Sequence, residues 1–208
     1  MAQDTTELAR AGVGSRVSLP PPKEKGGVSV EQAIARRRSV RDFPPDPLDL
    51  AQISQLLWSA HGLTSAQGLR AAPSAGACYA LEVYLACEQG LFRYEPNGHA
   101  LVKVSGADPR GPLAQAAYGQ FFISDAAVSI VFAAVYERTT QRYGDRGIRY
   151  VHMDVGHAAQ NVHLQAEALG LASVPVGAFD DVAVAEVLGI PTEEKPIYIV
   201  PVGRPARG

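Results

Sequence analysis

The segment from Ala35 to Phe43 reads ARRRSVRDF and places Arg36, Arg37, Arg38, Ser39 and Arg41 within six positions. A guanidinium grips a phosphate through two parallel N–H donors and stays charged at any relevant pH, so this cluster suits an anionic ligand. The same cations at a helix C-terminus would offset the helix dipole, at roughly 0.3–1 kcal/mol each. Cancelling one helix end does not need four arginines. The serine and the prolines at 44 and 45 further shape the stretch as a binding turn.

Other ways of holding a nucleotide-like ligand lack their signatures. No GxGxxG follows a strand and no GxxxxGK[ST] occurs, so any phosphate must be held by something other than a glycine loop. His152, His157 and His163 are spaced by five and six residues, not the three or four that align ligands on one helix face, and a metal site is not expected. Cys78 and Cys87 form no CxxC, which argues against a zinc site or a disulfide scaffold. Cys78 reads either as a reactive thiol or as a small apolar residue.

The run RRSVRDF resembles the flavin-phosphate motif of the nitroreductase family. LPPP before it, LLWSAHGLT, APSAGACYALEVY, RYGDRGIRY, GHAAQNVHLQAEALGL, SVPVGAFDD and PIYIVPVG follow in the order of that family's branch of azoline-oxidising enzymes, from about Leu19 to Gly203. The resemblance implies a nitroreductase-like α+β fold, with a central, mostly antiparallel sheet flanked by helices. It also implies a homodimer with FMN at the subunit interface, and NADH or NADPH as electron donor.

Its implied roles map onto this chain. Arg37, Arg38 and Ser39 would hold the FMN phosphate and ribityl chain, with Arg204 or Arg207 adding a late contact or serving only as tail. Arg41 would reach the N1/O2 edge, where a fixed cation stabilises the negative charge of the reduced ring. Pro73, Ser74, Ala75 and Gly76 would come from the second subunit. Pro-Ser-Ala-Gly also reads as a tight turn whose small side chains let backbone approach a flat ligand, or as a plain loop. Gln120 would offer an amide to the pyrimidine edge, or is a surface glutamine. Pro175, Val176, Gly177 and Ala178 would bring backbone groups near N5. Many family members carry a glutamate where Gly177 stands, so only backbone contacts are expected there.

Azoline oxidases of this branch resemble one another in a Lys-Tyr pair where this chain has Arg142-Tyr143. Arginine cannot serve as a general base, which weakens an azoline-oxidising function. Tyr143 would donate a proton or stack over a bound ring, or is a half-buried aromatic at a helix end. The implied activity is therefore reduction of small acceptors, such as nitroaromatics or quinones, in two ping-pong steps. The alternatives are oxidation of a heterocycle or peptide, and a flavin-binding module without turnover.

The elements that must position these residues are legible in part. Ser29 with Gln32 has capping-box spacing and opens a helix ending near Arg37, with Val30, Ala33 and Ile34 on one apolar face. A second helix runs from Asp49 to Ala60, stopped by Gly62. Strands are expected at 80–87, 90–94 and 100–104, with a Pro-Asn-Gly hairpin turn at 96–98. A buried strand lies within 124–136 and a long helix spans 149–169, closed by Gly170. A strand or turn at 174–176, a helix at 180–188 and a last strand at 196–202 complete the chain. Residues 1–27, with three consecutive prolines, are expected as an extended arm outside the core, and 28–208 as one domain. Strands interleaved with helices, plus a hairpin, make an α+β or mixed α/β domain.

The chain has 208 residues, is 47% hydrophobic and 19% charged, and has a formal net charge of −2. This composition suits one globular domain and gives no reason to expect nucleic acid or an anionic membrane as partner. The apolar runs are too short to cross a bilayer and the N-terminus lacks a signal-peptide core, so a cytoplasmic setting is expected.

Overall fold

The computed structural model describes residues 5–206. In chain order, the elements are α1 (Thr6–Arg10), β1 (Arg16–Ser18), α2 (Val30–Arg36), α3 (Leu50–His61), β2 (Leu81–Cys87), β3 (Gly90–Glu95), β4 (Ala100–Ser105), α4 (Arg110–Ala116), α5 (Phe122–Asp125), β5 (Val128–Ala134), α6 (Glu137–Tyr143), α7 (Arg146–Ala168), β6 (Ala172–Ser173), α8 (Asp181–Leu188) and β7 (Lys195–Gly203). The strands form one sheet in the order β1-β4-β3-β2-β5-β7-β6, with every neighbouring pair antiparallel.

The sheet is covered on both faces, which explains why every residue of its central strands β2 and β5 is buried, and why all but Glu82 and Ser129 are apolar. Along β5, Val128, Ile130, Phe132 and Ala134 join one hydrophobic cluster with α3 and α7, while Val131 and Ala133 join a second with α4 and α8. β2 divides the same way, with Val83 and Leu85 on one side and Tyr84 and Ala86 on the other. Side chains alternate across a strand, so each residue packs against one layer of helices or the other. This is the α+β architecture that the sequence resemblance implies.

Both capping boxes form. Ser29 Oγ accepts from the Gln32 amide at 3.2 Å, and Asp49 accepts from the Gln52 amide at 2.8 Å. The expected apolar face of α2 is only partly used, because Ala33 is buried while Val30 and Ile34 are 64% and 58% exposed.

The N-terminal segment departs from expectation. β1 pairs with β4, and Leu8, Val17 and Leu19 belong to the main cluster, so this stretch is part of the domain core rather than outside it. Apolar side chains at 17 and 19 share one strand face and supply the reason. Buried Lys103 anchors α1 by donating to the Leu8 carbonyl at 3.1 Å.

Candidate functional site

The arginine segment leaves α2 at its C-terminus and is stitched to the far edge of the sheet. Arg37 is the C-cap, in extended backbone, and its N–H donates to the Ala33 carbonyl at 3.0 Å. Ser39 then forms an isolated parallel bridge with Ser173 of β6, and the Val40 amide donates to the Ser173 carbonyl at 3.2 Å. Of the four guanidinia, that of Arg38 folds back onto the helix-end carbonyls of Ala35 and Arg37, at 3.0 and 2.8 Å. For this residue the helix-end role is real. Arg36, Arg37 and Arg41 form no ion pair among the described residues.

Beneath the segment lies a cavity of about 310 Å³, lined by Arg36, Arg37, Arg38, Val40, His163, Glu167, Gly170, Leu171, Ala172, Ser173 and Pro205. His163 comes from the buried stripe of α7. Its Nδ1 is 2.7 Å from Ser173 Oγ, while its Nε2 has no hydrogen-bond partner among the described residues. A buried polar atom left unmatched costs about 1–3 kcal/mol, so this nitrogen is a cost that the fold carries. Burial, then the charge of Arg37, push the His163 pKa down to about 4. Arg204 is half-buried where β7 ends, beside Pro205, and Arg207 lies outside the described residues.

The remaining residues of this edge join the cluster by contact. Exposed Arg41 lays its guanidinium 5.7 Å from the centre of the Phe122 ring. Two residues before Phe122, Gln120 donates from Nε2 to the carbonyls of Ala117 and Ala178, at 2.9 and 2.8 Å. Its donors are therefore used within the chain. Only its carbonyl oxygen is left to meet a ligand, a correction to the mixed donor-acceptor role expected for it. Val176 exchanges both backbone hydrogen bonds with Ile199, at 2.8 and 3.0 Å. The amides of Gly177 and Ala178 make no hydrogen bond among the described residues.

The Pro73–Gly76 turn belongs to a second group. Gly76, Ala77 and Tyr79 all have positive φ, at 59°, 52° and 48°, a strained run that persists only where surroundings over-determine it. They do so here. The Ala75 amide donates to the buried Asp154 carboxylate at 3.2 Å, Ser74 Oγ accepts from the Tyr79 amide at 3.0 Å, and Arg142 donates to the Gly76 carbonyl at 3.1 Å. A Cβ at Gly76 would lie 2.5 Å from the Tyr143 hydroxyl. The chain thus brings the Arg142-Tyr143 pair against this turn. Behind it, His61 is buried in close contact with Arg70, whose guanidinium lies 4.5 Å from the centre of the Tyr79 ring. Burial, then the charge of Arg70, push the His61 pKa down to about 3.

Asp154 and His163 are nine residues apart on α7, about 14 Å along its axis. The three histidines of α7 diverge. His152 bonds the Tyr136 hydroxyl at 2.7 Å, His157 is exposed and His163 is buried.

The pattern of the Nitroreductase family matches residues 34–204. The chain belongs to the nitroreductase family. A nitroreductase homologue from Methanocaldococcus jannaschii is 44% identical over 194 residues, covering 90% of this chain and 96% of that one. The crystal structure of a nitroreductase homologue from Ralstonia eutropha superposes with a TM-score of 0.86 at 30% identity, covering 95% and 93% of the two chains. An NADPH-flavin oxidoreductase of Vibrio harveyi is 31% identical over 114 residues, 51% of this chain and 48% of its own length. This nitroreductase-family oxidoreductase carries Asp154 at a point the motifs leave out, and His163 at one where the sequence suggests only a metal ligand of the wrong spacing. Each is a polar residue on the buried stripe of an amphipathic helix, and that misplacement is the signal that finds them.

Proposed function

We propose that the protein is an FMN-dependent oxidoreductase. It takes electrons from NADH or NADPH and passes them to small acceptors such as nitroaromatics or quinones in two ping-pong steps. The observation that carries this reading is the cavity lined by Arg36, Arg37 and Arg38, none of them in an ion pair among the described residues, with the unbonded amides of Gly177 and Ala178 a few residues along the chain from its Ser173 wall. Such donors fit a ligand with a phosphate at one end and a hydrogen-bonding ring at the other. Flavin mononucleotide, when bound, supplies the two-electron chemistry.

The chain's own residues then divide the work. Arg37, Arg38, Ser39 and Arg204 hold the phosphate. Arg41 brings a fixed positive charge to the pyrimidine edge of the ring, where it stabilises negative charge without reorganising. Gly177 and Ala178 offer backbone N–H donors, and Gln120 fixes that turn by holding the Ala178 carbonyl. Pro73–Gly76 of a second subunit closes over the ring in a homodimer and limits the access of water. Tyr143, seated beside that turn, donates a proton to the acceptor. Arg142 holds the Gly76 carbonyl, which makes it a positioning residue and supports reduction over azoline oxidation.

The purified protein is expected to be yellow, to release FMN at about one per subunit, and to consume NAD(P)H when a quinone is added. A colourless protein that fails to take up FMN overturns the reading, and a monomer that keeps stoichiometric flavin overturns the shared site. No helix among the described residues is long and apolar enough to cross a membrane.

A further inference from the structure

Glu82 is the one charged residue of β2, and its side chain is only 10% exposed. Its Oε2 accepts from Nε and Nη2 of Arg93 on β3, at 3.1 and 2.8 Å, and its Oε1 accepts from Nη2 of Arg138 on α6, at 2.6 Å. A buried carboxylate so paired adds little net stability, because apolar side chains of similar volume commonly serve a core as well. Its use lies in what it holds. Arg138 also donates from Nη1 to the Tyr79 carbonyl, at 3.0 Å. Tyr79 ends the strained run that starts at Gly76, and its amide donates to Ser74 Oγ. Four residues on from Arg138, and on the same face of α6, Arg142 donates to the Gly76 carbonyl. Two guanidinia of one helix thus grip the strained run at both ends. Apolar packing adds little to that grip, since Thr139 is the one buried residue of α6. Tyr143 closes the same helix and moves with it.

We infer that Glu82 and Arg138 are positioning residues for the proposed reaction: the buried carboxylate aims Arg138 at the Tyr79 carbonyl and so fixes the 73–79 turn and Tyr143 relative to the flavin ring. The effect on the reaction rests on the proposed function, whereas the hold on the turn does not. A guanidinium suits the task because its rigid fork serves two acceptors in different directions at once. Glu82 touches neither the turn nor a ligand and acts through Arg138 alone.

The full chain loaded with FMN is compared with Arg138→Ala and with the double variant Glu82→Gln/Arg138→Ala. Thermal unfolding, amide hydrogen exchange over residues 73–79 and stopped-flow reoxidation of the reduced flavin by a quinone are measured on each. Arg138→Ala strips one partner from a buried carboxylate, so its thermal midpoint falls. Exchange in the turn quickens, and reoxidation slows by about tenfold as the turn and Tyr143 lose their placement. The double variant removes the carboxylate's charge as well. Its midpoint recovers, while exchange stays fast and reoxidation stays slow. A turn and a rate that recover together with the midpoint make both residues merely structural and overturn the inference, as do a turn and a rate unmoved by Arg138→Ala. If Arg138→Ala fails to fold, Arg138→Lys carries the test, since it keeps the cation but offers one nitrogen to two acceptors. Its exchange and reoxidation should fall between the two extremes at an unchanged midpoint, and wild-type values for both overturn the inference. Wild-type protein that takes up no FMN removes the proposed function, and hydrogen exchange then tests the hold on the turn by itself.

Discussion

The two groups of candidate residues are built on opposite plans. At the β6 edge, donors outnumber acceptors. Arg36, Arg37 and Arg41 lack carboxylate partners, His163 has a bare nitrogen, and the Gly177 and Ala178 amides bond nothing among the described residues. At the Pro73–Tyr79 turn, backbone and side chains bond each other, and three residues with positive φ are held by Asp154, Ser74 and Arg142, the unpartnered nitrogens of this group, His61 Nδ1 and Arg70 Nε, being packed behind the turn. One region holds binding capacity in reserve and the other holds a shape. A flat cofactor needs both, since preorganised donors fix its charge while a rigid backbone surface fixes its plane.

If the contrast is right, damage to the turn costs stability and damage to the edge costs binding. The largest effect is expected at Gly76→Ala. A left-handed backbone costs an L-residue about 1–2 kcal/mol, and the clash with Tyr143 adds to it. Denaturant unfolding should show a lower midpoint with flavin affinity per folded molecule reduced as well. An unchanged midpoint would remove the strained turn from the comparison.

Arg37→Ala should leave that midpoint in place while FMN affinity falls by about ten- to a hundredfold, the usual range for one charge-assisted contact. A variant equally weakened in unfolding experiments would make Arg37 a structural residue after all.

Acid should strike both regions, because His61 and His163 have folded pKa values of about 3 and about 4. Each lies below the ordinary histidine value near 6.5, so the unfolded chain binds protons that the folded chain declines. Stability is therefore fully present above about pH 7.5 and is lost as pH falls toward 4. A thermal midpoint flat from pH 7.5 to 5 would refute the assignment of both rings as neutral.

The smallest effect is expected at Gly177→Ala. The added Cβ meets only Tyr198, at 3.8 Å, and φ is not positive, so stability should change by no more than about 0.5 kcal/mol in thermal unfolding. A large loss would mean that the 175–178 turn is as tightly specified as the 73–79 turn.

Legibility in the sequence followed periodicity. Ser29 announced its helix because a cap and its partner three residues on are a local code, Asp49 because a capping residue precedes an apolar stripe, and β2 and β5 by apolar runs broken once each, at Glu82 and Ser129. α6 did not, since Thr139 is its one buried residue and ERTTQRY carries no apolar stripe. β1 is three residues long at a sheet edge, too short to compete with the prolines after it. In the site, Arg36 to Arg41 stood out by density. Asp154 did not, and His163 did so only as one of three histidines spaced wrongly for a metal, because a single polar residue in a helix gains meaning only when the fold reveals what it faces: a bent backbone for one and a cavity for the other.

The length of α7 has a consequence for how such a chain can vary. Asp154 and His163 reach different regions from one continuous helix, so their phase is set by residue count alone. Inserting one residue between them would turn everything downstream by about 100° and carry the imidazole off Ser173. Loops elsewhere can lengthen freely, but this stretch works as a gauge block whose dimension is inherited whole or not at all.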